Sequence, residues 1–409
     1  MTDSSKHSAG SFIGGMLLIA GSCIGAGMLA LPIMTGLSGF FPSLVMFLIA
    51  WGFMTISGLL MVEVNSSFTE RVNIVSMAER AFGKTGRLIS WVLYLFLFYS
   101  LLVAYISGSG SLSSTYFQTV FSWHLPKWAG ALFFTAIFGF LAYQGTRTVD
   151  HWNRFFMFGK IFTYLGMIVL GMQYVNPQLL LRSEPALAFF SLPVLVIAFG
   201  YHNMIPTLMN YMNNDAKRVR QTILAGSFFA LIIYLIWEIV VLGIVPAEGR
   251  WGIIESLKQG RQASDAVAGI LGISWVSNFA EALAFFALLS SFLAQTLALT
   301  HFLADALKVK GEKHESIPLC LLALVPPLIF AFIYPHLFLN ALNFAGGICA
   351  VILFGVLPAS MAWKNRYVQQ LQSSYQVFGG KRLLIAIIVI ALCVVVFQAA
   401  SMLNLIPHV

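Results

Sequence analysis

Charged side chains are scarce in this sequence. They make up 9% of its 409 residues, against about 25% in a soluble domain, and that shortfall excludes a large soluble protein. No polar stretch is long enough for a separate soluble domain; the longest run from Asn65 to Arg87 and from Ala247 to Ser274. Cysteine is nearly missing too. The four present, Cys23, Cys320, Cys349 and Cys393, sit inside apolar runs without metal-ligand spacing, so they read as small apolar side chains. No metal or cofactor is expected. The apolar runs hold no HExxH-like or paired His/Asp arrangement, which leaves an intramembrane enzyme without support. They carry no regularly spaced polar stripe, which argues against a channel, and no strand-like alternation, which argues against an outer-membrane barrel.

What the chain has in abundance is apolar sequence: 59% of its residues are hydrophobic, in near-continuous runs of roughly 20 residues, the length of a membrane-crossing helix. Eleven spans are predicted, over 11–36, 40–62, 88–118, 128–146, 153–174, 187–212, 220–246, 274–304, 316–334, 337–361 and 383–404. The first run continues to Pro32, too long for the apolar core of a signal peptide, so it is expected to be retained. Of the 23 lysines and arginines, 17 fall on the side shared by the N-terminus and the loops after even-numbered spans. Five fall on the other side, and Lys160 lies within span five. The positive-inside rule then puts the N-terminus in the cytoplasm and the C-terminus outside. The net charge of +8 therefore reports topology and gives no reason to expect nucleic-acid binding.

Span one carries Gly21-Ser22-Cys23-Ile24-Gly25-Ala26-Gly27 in its middle. Each glycine costs a helix roughly 0.8–1.0 kcal/mol relative to alanine. Broken backbone survives in hydrocarbon only where protein or a polar cavity satisfies it. Two half-helices are predicted, one ending near Ala20 and one starting near Gly25. A packing face is the alternative, since Gly21 and Gly25 have GxxxG spacing. Span six tips the balance, because it echoes this layout: an apolar half, a break around Phe199-Gly200-Tyr201-His202-Asn203, then Pro206. Five spans separate the breaks, so the two halves enter the membrane from opposite sides. That points to an inverted repeat, residues 1–175 against 187–362, with 382–409 as an addition and the binding site where the breaks meet.

Several segments in matching order resemble a known family. "GSCIGAGMLALP" (21–32), "AYISGSG" (104–110), "WNRF" (152–155), "FGYHNMIPTLMNYM" (199–212) and "VPPLIFAFIYPHLF" (325–338) look like the aromatic amino acid permeases, the bacterial tyrosine- and tryptophan-specific carriers. The resemblance implies an all-α integral membrane protein of eleven transmembrane helices in a leucine-transporter-like 5+5 fold. It further implies proton-coupled import of aromatic L-amino acids across the bacterial inner membrane, tyrosine favoured on overall similarity. Where the family pattern has glycine after the histidine of the fourth motif, this chain has Asn203.

The expected site follows from the chemistry of an amino acid. Backbone N–H groups of Gly25, Ala26 and Gly27, with the Ser22 hydroxyl, would hold the carboxylate. Carbonyls around Ala20, Gly21 and Phe199 would take the ammonium; Cys23 and Gly200 lie in the same two breaks. Phe199, Tyr201, Tyr105 and Phe285 are candidates for the aromatic slot. Lys160 either snorkels to the interface or, as the resemblance implies, contacts carbonyls of broken span one and carries the coupling proton. His202 is the second proton candidate. Glu238 and Glu281 are further intramembrane carboxylates, and Glu63 is expected at the interface. Ser290 and Ser291 keep a sodium-coupled symporter open as the alternative, beside an exchanger of the same fold. The segment Asn65–Arg87 is expected to lie along the membrane surface and Ala247–Ser274 to cap the outer mouth, with plain connectors as the alternative for both.

Overall fold

The computed structural model describes residues 10–68, 72–272, 275–307, 316–334, 336–371 and 373–405. Lys6, Arg71, Lys308, Lys310 and Lys313, five of the basic residues counted on the N-terminal side, lie outside the described residues. Among the described residues all regular structure is helical. Eight helices among the described residues are long and apolar enough to cross a membrane, or nine if the pair Phe12–Cys23 and Ala26–Thr35, bent by 48°, is one span. The segments expected as spans four and nine are apolar helices of 17 residues each, Lys127–Tyr143 and Ile317–Ile333. At 1.5 Å per residue each covers about 26 Å, just under a hydrocarbon core of about 30 Å.

Helix ends differ from the hydropathy boundaries where polar residues continue a helix beyond its apolar stretch. Span five starts at Thr146, seven residues before its expected edge, after Gly145 at φ 100°. Span ten runs on to Tyr367. Span three is one run from Ile74 to Phe121, broken at Gly83, whose φ of 67° turns the amphipathic first segment away from the span. Asn73 caps that segment through the Ser76 N–H, and Asp215 caps span seven (Ala216–Ile244) through the Lys217 and Arg218 N–H groups. Proline stands in the first turn of the second half of span one and of both halves of span six, where its missing N–H costs nothing.

Span five shows how such a helix sorts its faces. Phe158, Phe162 and Val169 are 74%, 68% and 73% exposed, a stripe suited to lipid, whereas Phe156, Lys160, Thr163, Tyr164 and Met167 are buried on the opposite face. A lysine on the inward face of a helix whose outward face is aromatic is directed into the protein, not to the membrane surface. Spans five and eight pack together, as do spans one and seven. At the second contact a side chain on Gly226 would stand 2.7 Å from the Met16 carbonyl oxygen, so glycine is what lets the two backbones touch.

Candidate functional site

The two breaks face one another. Span one keeps helical hydrogen bonding through Cys23, three residues beyond the expected end, because the Ile24 N–H still reaches the Ala20 carbonyl at 2.9 Å. Backbone then unwinds at Ile24–Gly25 and resumes as a 3-10 turn, Ala26–Leu29, before α-helix at Leu31. Span six loses its ladder at Phe199–Tyr201, between Leu192–Ala198 and the turn His202–Met204. Gly27 comes within 4.0 Å of the Ala198 Cα, counted from where its Cβ would be.

Of the carbonyls around these breaks, those of Cys23, Ile24 and Ala198 take side-chain donors. Ala20 O, expected from sequence to be free, is still held by the Ile24 N–H, and the Gly25 N–H that would serve Gly21 O in a continuous helix turns to Cys23 O instead. One hydroxyl serves two of them: Tyr234 of span seven lies 2.6 Å from Cys23 O and 2.9 Å from Ala198 O, bridging the two broken helices. Lys160 Nζ donates to the third, Ile24 O, at 2.6 Å. Two of the expected carboxylate-binding N–H groups also have partners here: Gly25 donates to Cys23 O at 2.9 Å, and Ala26 donates to Ser291 Oγ at 2.9 Å. A Cβ on Gly25 would sit 2.8 Å from that same Ser291 Oγ.

The aromatic candidates divide. Phe199 is fully buried and packs edge-on against Tyr234, with centroids 5.3 Å apart. The Tyr105 hydroxyl interacts with the side chains of Gln295 and Ser291, which brings span three to the same point of span eight (Trp275–Ala306). Tyr201 instead turns to span two (Phe40–Asn65), donating to Met54 O at 3.2 Å. Phe285 packs on Phe138 of span four and on its neighbour Phe286. Six residues from Ser291 on a 3.6-residue helix, it points about 120° away from the face that meets span one. The structure does not bring it to the breaks.

His202 has no exposed surface, and its ring stacks between Tyr201, at 5.0 Å, and Phe354 of span ten, at 4.8 Å. Neither ring nitrogen has a hydrogen-bond partner among the described residues. Asn203, the departure from the family pattern, accepts from the Tyr94 hydroxyl of span three at 2.7 Å. Ser290 bonds its own helix at Ala287 O, so of the serine pair only Ser291 reaches span one.

Burial is uneven along both broken spans. Residues 26–39, the half of span one away from the N-terminus, are buried without exception, whereas Ser22, just before the span-one break, and Asn203, just after the span-six break, are exposed. On the far side, the short helices Ile253–Lys258 and Ala263–Leu271 cover the bundle. Gln262 there is buried and donates to Gly108 O of span three at 3.0 Å. The breaks are thus sealed from that face, and the exposed residues beside them are Ser22 and Asn203.

Sequence reasoning missed three contributors. Tyr234, Trp237 (whose indole donates to Met28 O at 3.0 Å) and the π-helical stretches Ala345–Ala350 and Ile352–Val356 of span ten carry no motif. A buried hydroxyl or indole N–H in hydrocarbon needs a partner, and broken backbone nearby offers one; that complementarity was the available signal. Glu63, expected at the interface, is buried: Arg366 grips both its oxygens at 2.6 Å and the Val377 N–H donates at 2.8 Å.

Comparison with known proteins matches nearly the whole chain. A model of the tryptophan/tyrosine permease family matches residues 8–398. The chain is 33% identical to the tyrosine-specific transport system 1 of Haemophilus influenzae, over 97% of this chain and 98% of that relative. It is 31% identical to the tryptophan-specific transport protein of Pseudomonas aeruginosa, over 87% of each. Identity to the low affinity tryptophan permease of Escherichia coli is 30%, over 100% of this chain and 99% of that relative.

Proposed function

This chain belongs to the tryptophan/tyrosine permease family, and from that premise we propose that it imports aromatic amino acids by proton symport with alternating access. Tyrosine is the favoured substrate. The observation that carries the reading is the double contact of Tyr234 with Cys23 O and Ala198 O. It ties both breaks to one point halfway along their spans, where the exposed peptide groups of two half-helices can hold a carboxylate and an ammonium.

In this reading the two 17-residue helices complete eleven spans. Residues 1–175 and 187–362 form the inverted repeats, with 382–409 outside them. The N-terminus is cytoplasmic, the C-terminus periplasmic, and the membrane is the bacterial inner membrane. The sealed face is then the outer one, so the site is open to the cytoplasm. Phe199 and Tyr105 flank the substrate ring, and the Gly25, Ala26 and Gly27 amides take the carboxylate once Ser291 yields. Gly21, Ser22, Cys23, Gly200, Tyr201, His202 and Asn203 shape the rest of the pocket.

Lys160 is the proposed proton carrier. Its ammonium on Ile24 O occupies the place where a cation would meet freed span-one carbonyls, which favours proton over sodium coupling. Loss of the proton frees that carbonyl and loosens span one. Moving one net charge inward yields about 2.3 kcal/mol per 100 mV, roughly fifty-fold accumulation.

Uptake of labelled tyrosine tests the reading. Competition by each aromatic amino acid should be strong, sodium should have no effect, and a protonophore should abolish accumulation. Sodium-dependent accumulation that survives the protonophore would overturn it.

A further inference from the structure

A second ionisable group lies outside this arrangement. Glu238 of span seven is fully buried in the half of the bundle away from the N-terminus, one turn beyond Tyr234. Its Oε2 is 2.8 Å from Thr35 Oγ1, at the end of span one, and Oε1 has no partner among the described residues. Thr35 Oγ1 is also 2.7 Å from the Leu31 carbonyl oxygen. A hydroxyl has one hydrogen, and a carbonyl has none to offer. If Thr35 gives its hydrogen to Leu31 O, the 2.8 Å contact needs a hydrogen from Glu238. A Thr35 hydrogen shared between the two, as the Tyr234 hydrogen is between Cys23 O and Ala198 O, would leave a buried carboxylate with a fraction of one donor and no cation. The assignment that satisfies both short contacts therefore makes Glu238 a neutral carboxylic acid donating to Thr35.

The surroundings fit that assignment. The titratable or charged side chains on the elements packed around this stretch are Tyr234 and Tyr164, which donate to main-chain carbonyls, and Arg182, held on the Gly36 and Leu37 carbonyls. Asp265, Glu255 and Lys258 follow on the two short helices of the sealed face. None of them bonds Glu238. One turn further out, at Leu242 and Gly36, begins a cavity of about 110 Å³ that Arg182 and Gln178 also line, with room for several waters. A space able to hold water thus begins one helical turn from an acid sealed away from it.

From this geometry we infer that Glu238 is a proton-binding site that controls the outer half of span one: protonated, it holds Thr35 and the sealed face; ionised, it favours the conformation that lets water from the outer cavity reach it. A carboxylate sealed from water without a cation is strongly disfavoured. Ionisation therefore shifts the population toward the state in which the group is hydrated. The direction of this control rests on the transport reading; the proton on Glu238 does not.

Infrared spectra of the purified protein in lipid, recorded over a pH series, decide the protonation. The wild type should show a protonated-carboxyl C=O band that Glu238→Gln removes and Thr35→Val shifts, and that fades as pH rises. A band unchanged in both variants overturns the inference. Should Glu238→Gln fail to fold, the Thr35→Val shift alone carries the decision, since it leaves the acid in place. Counterflow and pH-dependent uptake are measured in the same preparations. Glu238→Gln should exchange substrate within about twofold of wild type. Its net uptake should keep the pH dependence that Lys160 confers while losing the part that follows the fading of the infrared band; an uptake profile identical to wild type overturns the control of span one. Absence of counterflow in the wild type sinks the transport reading, and leaves the infrared band to judge Glu238.

Discussion

Lys160 of span five holds the carbonyl oxygen of Ile24 at 2.6 Å, at the residue where span one stops being a helix. A charged hydrogen bond of this kind contributes about 1.5–3 kcal/mol, or ten- to a hundred-fold in the population of the state that contains it. Lys160→Met should therefore cut proton-driven accumulation at least ten-fold while leaving energy-independent counterflow measurable. Vesicle uptake under an imposed pH gradient, set beside counterflow, separates the two. Full accumulation by the variant would remove Lys160 from the coupling.

Tyr234 makes the companion prediction. Tyr234→Phe keeps the ring against Phe199 but leaves the Ala198 carbonyl unpaired and Cys23 O with the Gly25 N–H alone. Each unsatisfied buried group costs about 1–3 kcal/mol. The variant should melt at lower temperature in detergent and lose most of its uptake, whereas Tyr164→Phe, which takes a hydroxyl from the Ile233 carbonyl inside a continuous helix and not from a broken one, should transport nearly normally. Equal behaviour of the two would argue against the bridge.

How much of this was legible in the sequence depends on what kind of signal each feature leaves. The breaks announce themselves, because clustered glycines followed by a proline weaken a helix wherever they fall in an apolar run. Which carbonyls they free does not show. The helix persists through Gly21 and Ser22 because Ile24 still reaches Ala20, and only coordinates reveal that register. Lys160 stood out as a charge in a span, yet its inward direction needed the lipid-facing stripe of Phe158, Phe162 and Val169. Phe285 misled because, among 36 phenylalanines, position along the chain says nothing about which way a ring turns. Tyr234 was invisible for the same reason: its meaning lies in two partners, 211 and 36 residues away.

Gly25 should not tolerate a side chain. Its Cβ would meet Ser291 Oγ at 2.8 Å, inside van der Waals contact, and overpacking of this sort costs about 1–3 kcal/mol. Gly25→Ala should reduce uptake about ten-fold or more. Ser291→Ala removes the obstructing oxygen, so the double variant should transport better than Gly25→Ala alone. A double-variant cycle in uptake measures the coupling, and strict additivity would dismiss the clash.

The segment of the two short helices, Ile253–Lys258 and Ala263–Leu271, has a pH dependence of its own. Burial raises the Asp265 carboxyl above its usual range; its bond from the Gln262 N–H and the nearby Lys127 and Arg261 pull the other way without cancelling the shift. A carboxyl raised by folding stabilises the docked segment fully below its unfolded value, and that contribution is lost as pH rises through the folded one. Asp265→Asn keeps an oxygen for the cap but cannot ionise. Trypsin cleavage at Lys258 or Arg261 in right-side-out cells should accelerate with pH more steeply in wild type than in Asp265→Asn. Taking the ratio at each pH removes the protease's own profile, and a flat ratio would rule out Asp265.

The buried pair at the opposite face should show the asymmetry of removing one charge or two. Arg366 neutralises Glu63 with two contacts of 2.6 Å, and both side chains are nearly inaccessible. Arg366→Gln strands a carboxylate beside the Val377 N–H, its one remaining donor, and breaking such a pair typically costs about 3–5 kcal/mol. Glu63→Gln with Arg366→Gln leaves no net charge and two amides able to bond each other. The single variant should therefore express and melt markedly worse than the double, although the double has lost more of the native contacts. Thermal stability of the three proteins in one detergent decides it: if the double variant proves the less stable, the pair is held by geometry rather than by charge.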